Sequence, residues 1–422
     1  MKNKFLIVTA LFLSTIVSFA QDNTGSPFSG FGYGIIEDQG IGGAMGYGGA
    51  SIGLAQHDQI NILNPAGYSA IAAQSFIFHA GYRAKRVDFT DASSSSSKYN
   101  YGFTGINTAF RINEFWAAGF GLTPFSSIGY NVKTEENRSF ENTSYDITTN
   151  YYGEGGLNKL YFSTAFDYEG FSVGADFSYI FGLTSIRTEA QLQDSLYTNL
   201  ILHYENYNTK GLLMTYGIQY SYDIAKYKKL TLGVTYNMNT KLSADYTAFA
   251  SNFVSNNYNT VSDTIMYDTI SNINTEIPQK IGIGLSYKGK KFLFAADFSS
   301  QSWEGVPIFG EQTENLKNSY KIAGGMEFLP SRTAQSYFKA VKYRLGGYYS
   351  NSYISYNGNP VEEYGLTFGF GLPAKKSLTY INLGFEVGVK GSVEKNLLKE
   401  NYYGLNLSIN MADIWFVKRK FE

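Results

Sequence analysis

Phe171-Ser-Val-Gly-Ala-Asp-Phe-Ser-Tyr-Ile-Phe-Gly-Leu183 alternates from end to end. Phe171, Val173, Ala175, Phe177, Tyr179, Phe181 and Leu183 fall on one face, and Ser172, Gly174, Asp176, Ser178 and Gly182 on the other. A period of two is the signature of a strand whose faces meet different surroundings. Residues 212–222, 230–238 and 381–389 repeat it. Two architectures share this pattern. In a water-soluble sandwich the apolar face is the core and the polar face is solvated. In an outer-membrane barrel the apolar face meets lipid, and the small or polar face fills the lumen.

Loop lengths separate the two. Fourteen strand candidates start near Gln74, Lys98, Phe115, Leu157, Phe171, Leu212, Leu230, Ile277, Phe292, Tyr320, Val341, Tyr364, Leu378 and Tyr402. Short connections follow even-numbered candidates, at Asn113-Glu114, Glu169-Gly170, 225–229, 288–291 and 373–376. Long connections rich in Asn, Thr, Asp and Ser follow the third, fifth and seventh, for example 252–276. The connection at 330–339 is of middling length and fits least well. Short turns on one rim and long loops on the other describe a transmembrane antiparallel up-and-down β-barrel of about 14 strands, with the short turns periplasmic.

Composition agrees. The 422 residues include 36 Tyr, 32 Phe and 44 Gly, while charged residues make up only 16%, against about 25% in soluble proteins. A net charge of −1 gives no pull toward nucleic acid. With no Cys, disulfides and thiolate metal sites are excluded.

The chain divides into four parts. Residues 1–20 read as a signal peptide: Lys2 and Lys4 precede an apolar stretch, and Ser18-Phe19-Ala20 offers a cleavage site before Gln21. Residues 21–73 are crowded with Gly40, Gly42, Gly43, Gly46, Gly48, Gly49 and Gly53. No Gly-Lys-Ser/Thr follows, so a phosphate-cradling loop is excluded. A compact N-terminal plug (hatch) in the lumen is expected here, with a disordered linker as the alternative. The barrel is expected over 74–417, followed by a short C-terminal tail at 418–422.

Recognisable residues stand at the end of the Gly-rich segment. Ala50-Ser-Ile-Gly-Leu-Ala55, then Ile62-Leu63-Asn64-Pro65-Ala66, resembles the hatch of the FadL family of outer-membrane channels. Pro278 at a strand opening, Ala296-Asp297 before Trp303, Tyr343-Arg344-Leu345-Gly346 and 364–369 resemble later parts of the same family. The resemblance implies a barrel in the cell outer membrane that takes up long-chain fatty acids or other hydrophobic small molecules. It also implies hatch roles for Asn64, Pro65 and Ala66. The C-terminus departs from the usual pattern, since Trp415-Phe416-Val417 is followed by a basic tail instead of ending the chain.

No catalytic site, metal site or cofactor is expected. The histidines are His57, in the hatch, His79, on the polar face of the first strand, and His203, assigned to an outer loop. They form no His-x-x-x-His or Glu-x-x-His spacing, and no Gly-x-Ser-x-Gly elbow exists. Pro124 sits inside the third strand candidate, where its missing N–H would interrupt a ladder. It is the candidate wall kink through which a hydrophobic solute could leave sideways into outer-membrane lipid. The leading functional reading is passive uptake of hydrophobic compounds. The alternative is a barrel of this fold that serves a protein partner, as a subunit of an outer-membrane secretion or barrel-assembly complex. A surface adhesin that presents the long loops is the third.

Overall fold

The computed structural model describes residues 24–37, 40–140, 143–193, 198–255, 260–312, 314–331, 336–374, 379–396 and 398–414. The expected signal peptide, the tail at 418–422 and the aromatic run at 415–417 lie outside the described residues.

A two-residue strand, β1 (Ile35–Ile36), precedes the wall. The wall then runs through β2 (Ser75–Thr90), β3 (Ser95–Arg111), β4 (Trp116–Pro124), β5 (Ser126–Phe140), β6 (Thr143–Tyr168), β7 (Phe171–Gln193) and β8 (Thr198–Ala225). It continues through β9 (Lys228–Asn237), β10 (Thr240–Ser255), β11 (Thr260–Ile277), β12 (Lys280–Lys288) and β13 (Phe292–Gln301). A small hairpin, β14 (Pro307–Ile308) with β15 (Glu311–Gln312), leads to β16 (Ser319–Phe328), β17 (Lys342–Tyr356), β18 (Asn359–Pro373), β19 (Tyr380–Ser392) and β20 (Leu398–Ile414). β4 and β5 form one stave, as do β9 and β10, and β11 and β12. The wall therefore has 14 antiparallel staves and closes where β2 pairs with β20. Closure is what makes the fold viable in lipid, because every backbone donor in the hydrocarbon needs a partner.

The two faces are those of a membrane barrel. Phe171, Tyr179 and Leu183 point outward with Phe177, which is 46% exposed, while Ser172, Ser178 and Asp176 are buried, Asp176 to 4% exposure. Tyr216, Ile218, Leu232, Val234, Phe385 and Val387 are likewise exposed. A soluble sandwich would turn these same side chains inward.

The outer half differs from the sequence expectation. The long connections are largely strand. Residues 252–255 and 260–276 continue the β10–β11 ladder, which runs from Thr240↔Ile277 to Ser255↔Thr260, and His203 lies within β8 opposite Ala250. On β11, residues 262–272 are exposed on both faces, so they lack the alternation that marks the membrane strands. Their Thr, Tyr and Ile residues still favour extended pairing. Pro278 does not open a strand but sits between β11 and β12. The connection at 330–339 contains part of a short helix, α1 (Tyr337–Ala340).

Candidate functional site

Two features occupy the lumen. The first is the segment 40–73, held against the inward wall by hydrogen bonds from many staves. Asn64 caps the 3-10 helix Pro65–Ala70, its Oδ1 accepting from the Ala66 N–H at 3.1 Å. Its Nδ2 donates to Ile52 O at 2.9 Å and to the wall at Ile218 O, 3.3 Å. Pro65 occupies the first helical turn, where its missing N–H costs nothing. Ala66 is fully buried. The triplet can come this close because the wall lacks side chains there. A Cβ on Gly174 would lie 2.5 Å from Ala66 N, and one on Gly217 2.1 Å from Asn64 Oδ1.

Wall carboxylates and amides fix the rest of the segment. Asp297 accepts from the Ile52 N–H at 2.7 Å, and Gln219 donates to Ile52 O at 2.9 Å and Leu54 O at 3.2 Å. The Tyr47 hydroxyl donates to Glu327 at 2.7 Å, and Arg344 meets Glu327 at 3.0 Å and Asn382 at 2.8 Å. Lys342 bridges to Asp58 at 2.5 Å. Burial by itself would raise the Asp58 carboxyl, but the Lys342 ammonium overrides it and holds the group well below the usual carboxylate range. His79 is buried on the lumen side, its Nδ1 3.2 Å from Asn107 Nδ2.

The second feature is an aromatic cluster on the side of the barrel that carries the long hairpins. Trp303 stacks on Tyr353 at 4.4 Å between ring centres, Tyr33 meets Trp303 edge-on at 6.1 Å, and Phe309 stacks on Tyr207 at 4.1 Å. Tyr33, Trp303 and Tyr353 join Phe28, Ile308 and Leu316 in one apolar cluster drawn from the N-terminal segment, the β13–β16 connection and the wall, with Phe309 packed against it.

Between the two features lies a cavity of about 320 Å³. Its lining is mixed. Ile41, Phe103 and Phe125 face it, but so do Arg83, Lys85, Lys390, Glu363 and Glu400. Tyr348 reaches this cavity and donates to Glu386 at 2.5 Å.

Pro124 stands at a break in the wall. The β3–β4 ladder runs from Arg111↔Ala117 to Ile106↔Leu122 and stops there. Beyond it, β5 pairs with β6 on one side and at Ser126–Ser127 with β1 on the other. Phe125 N–H donates to Leu157 O in β6 at 2.8 Å. N–H directions alternate along a strand, so the donor that Pro124 lacks is the one that would face β3. Pro124 and Phe125 also line the cavity.

Comparison with known proteins adds the family. A family model described as BamG matches residues 1–422. The chain belongs to the BamG family. No curated protein matches it. Among solved structures, this BamG-family chain is similar to the P. putida toluene transporter TodX, with a TM-score of 0.61 at 14% identity, over 90% of this chain and 100% of that one. It is also similar to the CymD monoaromatic hydrocarbon channel (TM-score 0.58, 14% identity, 90% and 99% covered). A Pseudomonas aeruginosa FadL homologue gives 0.54 at 10% identity, with 92% and 100% covered. The fold is therefore that of FadL-type outer-membrane channels, and the BamG-family barrel resides in the outer membrane.

Sequence reasoning singled out Asn64, Pro65, Ala66 and Pro124 as candidates and did not single out Asp297, Gln219, Glu327 and Arg344 as partners of the N-terminal segment. The available signal was the row of lumen-face glycines, Gly174, Gly217, Gly233 and Gly284, which clear a track for a second backbone.

The close approach of Ala66 to Gly174 gives a direct test. Replacing Ala66 by Leu puts a branched side chain where Ala66 is fully buried beside Gly174. Overpacking of this kind costs about 1–3 kcal/mol. The expected outcome is normal insertion with faster proteolysis of the 40–73 segment in purified barrels. A digestion pattern identical to the parent's would contradict the assigned contact.

Proposed function

We propose that this BamG-family barrel serves a protein partner, as a subunit of an outer-membrane barrel-assembly or secretion complex, with residues 24–73 acting as a plug. The observation that carries the reading is the state of the lumen. The N-terminal segment packs against the inward wall, an aromatic cluster packs beyond it, and charged side chains line the space between. An apolar solute gains ~0.8 kcal/mol per buried CH₂. Stripping water from charges costs several kcal/mol per ion, so this interior offers such a solute little. In the proposed orientation the short turns, such as Glu169-Gly170 and 226–227, face the periplasm, and the tall hairpins stand outside the cell. The test is purification of the tagged chain from outer membranes in mild detergent. A stoichiometric protein partner is the expected result, and recovery of the barrel alone would overturn the reading.

One observation favours a second reading, passive uptake of hydrophobic compounds. The ladder break at Pro124 adjoins the cavity and supplies a side exit to lipid. Under this reading Pro124→Val restores a donor facing β3, and release of a fluorescent hydrophobic probe from the barrel into vesicle lipid should slow severalfold. An unchanged release rate would remove Pro124 from that role. Long-chain fatty acids are one ligand class to include among the probes.

A further inference from the structure

The tall hairpins leave free sheet edges, and these edges differ in kind. Above its contact with β1, β5 pairs only with β6 among the described residues. That edge carries Lys133, Glu135, Glu136 and Arg138, all exposed. Charges of both signs along an edge are a standard device against unwanted strand pairing. β11 is the contrasting case. Among the described residues it pairs with β10 alone. Near its base the β13–β16 connection covers it, where Gly310 N–H donates to Asn274 O at 2.9 Å. Every residue from 262 to 272 is exposed.

Register shifts at Ala250/Ser251 and Ala244/Tyr246 bracket an unbroken run on β11, from Met266 opposite Ala250 to Ile270 opposite Tyr246. The run carries Met266, Tyr267 and Ile270, with Ile265 just before it, and Tyr267 is 70% exposed. Lysine and arginine are absent from 262–272, and the charges present, Asp263 and Asp268, are both negative. A second copy of the chain would bring acid against acid, whereas a basic strand would meet opposite charge.

We infer that the outer edge of β11, centred on Met266–Ile270, is a strand-addition site for an extended segment of a partner protein that alternates Lys or Arg with β-branched or apolar residues. The added strand takes the ladder hydrogen bonds that β10 does not use, and its cations lie beside Asp263 and Asp268. This deepens the proposed function, on which it rests, by naming the surface and the chemistry of the partner.

The test uses the purified full chain in detergent and a short synthetic peptide alternating lysine with isoleucine and threonine. Amide hydrogen exchange is followed by mass spectrometry. The basic peptide is expected to slow exchange across 266–270 and to leave the β5 edge unchanged. A peptide of equal charge with proline at alternate positions lacks ladder donors, and one with glutamate for lysine has the wrong sign. Both should bind at least about tenfold more weakly. Equal protection by either control, or none by the basic peptide, overturns the inference. So does protection that rises with protein concentration in the absence of peptide, which would assign the edge to a second copy. In membranes, Tyr267→Lys with Ile270→Lys is expected to release the co-purifying partner. A complex that survives these changes leaves the partner-subunit reading standing and removes this edge from it. If no complex is recovered from the parent, that reading fails and the peptide experiment still decides the edge.

Discussion

Replacing Gly217 by valine is expected to convert a sealed barrel into a leaky one. The first added carbon would lie 2.1 Å from Asn64 Oδ1 and 2.8 Å from Pro65 Cδ. Neither atom can step back freely, because Asn64 is also bonded to Ile52 O at 2.9 Å and Pro65 has a fixed ring. The backbone of β8 is tied into ladders with β7 and β9, so the lighter side of the contact, the Asn64–Ala66 turn, must leave. Overpacking costs about 1–3 kcal/mol, and each buried polar group left without a partner adds about 1–3 kcal/mol. That sum exceeds what a short 3-10 turn can recover elsewhere in the lumen. Ion conductance in planar bilayers should rise by an order of magnitude or more, and cells should become sensitive to a large antibiotic normally excluded. Gly384→Ala is the matched control, since its nearest neighbour would be at an ordinary 3.5 Å. A silent Gly217→Val barrel would show that the turn does not hold the lumen shut.

The second large effect concerns charge. Arg344 is buried at 5% exposure and meets Glu327, Tyr47 and Asn382. Arg344→Met keeps much of the volume but leaves the Glu327 carboxylate buried with only the Tyr47 hydroxyl and nearby Lys342 to answer it. Breaking one partner of a buried pair costs about 3–5 kcal/mol, whereas replacing both with apolar groups is often close to neutral. The urea midpoint of barrels refolded in detergent should therefore fall sharply for Arg344→Met. It should recover most of the loss in Arg344→Met with Glu327→Leu. Equal midpoints for the single variant and the parent would mean that water, not Arg344, answers Glu327.

These two sites show where sequence reading reaches its limit. Period-two alternation, clearest at 171–183, marked strand candidates whose number matches the 14 staves of the closed wall, and the parity of short connections marked a barrel instead of a sandwich. Both are local properties, fixed by which side chains can share a face and how tightly a turn can close. The Asn64-Pro65-Ala66 triplet stood out through its resemblance to a family motif, and the cap that the structure shows there acts within a few residues. The far part of β11 was not legible, since with residues 262–272 exposed on both faces no alternation is required of them.

What only the tertiary structure decided is which polar residues meet. Tyr47 and Glu327 lie 280 positions apart, and Lys342 and Asp58 are separated by 284. Their encounter depends on closing β2 onto β20 and on the path the N-terminal segment takes inside. Alternation tells that Glu327, Arg344 and Asp297 face the lumen but not that each has a partner there. A charge in a wet pore and a charge in a buried pair have the same place in the pattern. Only packing, which removes the water, separates them.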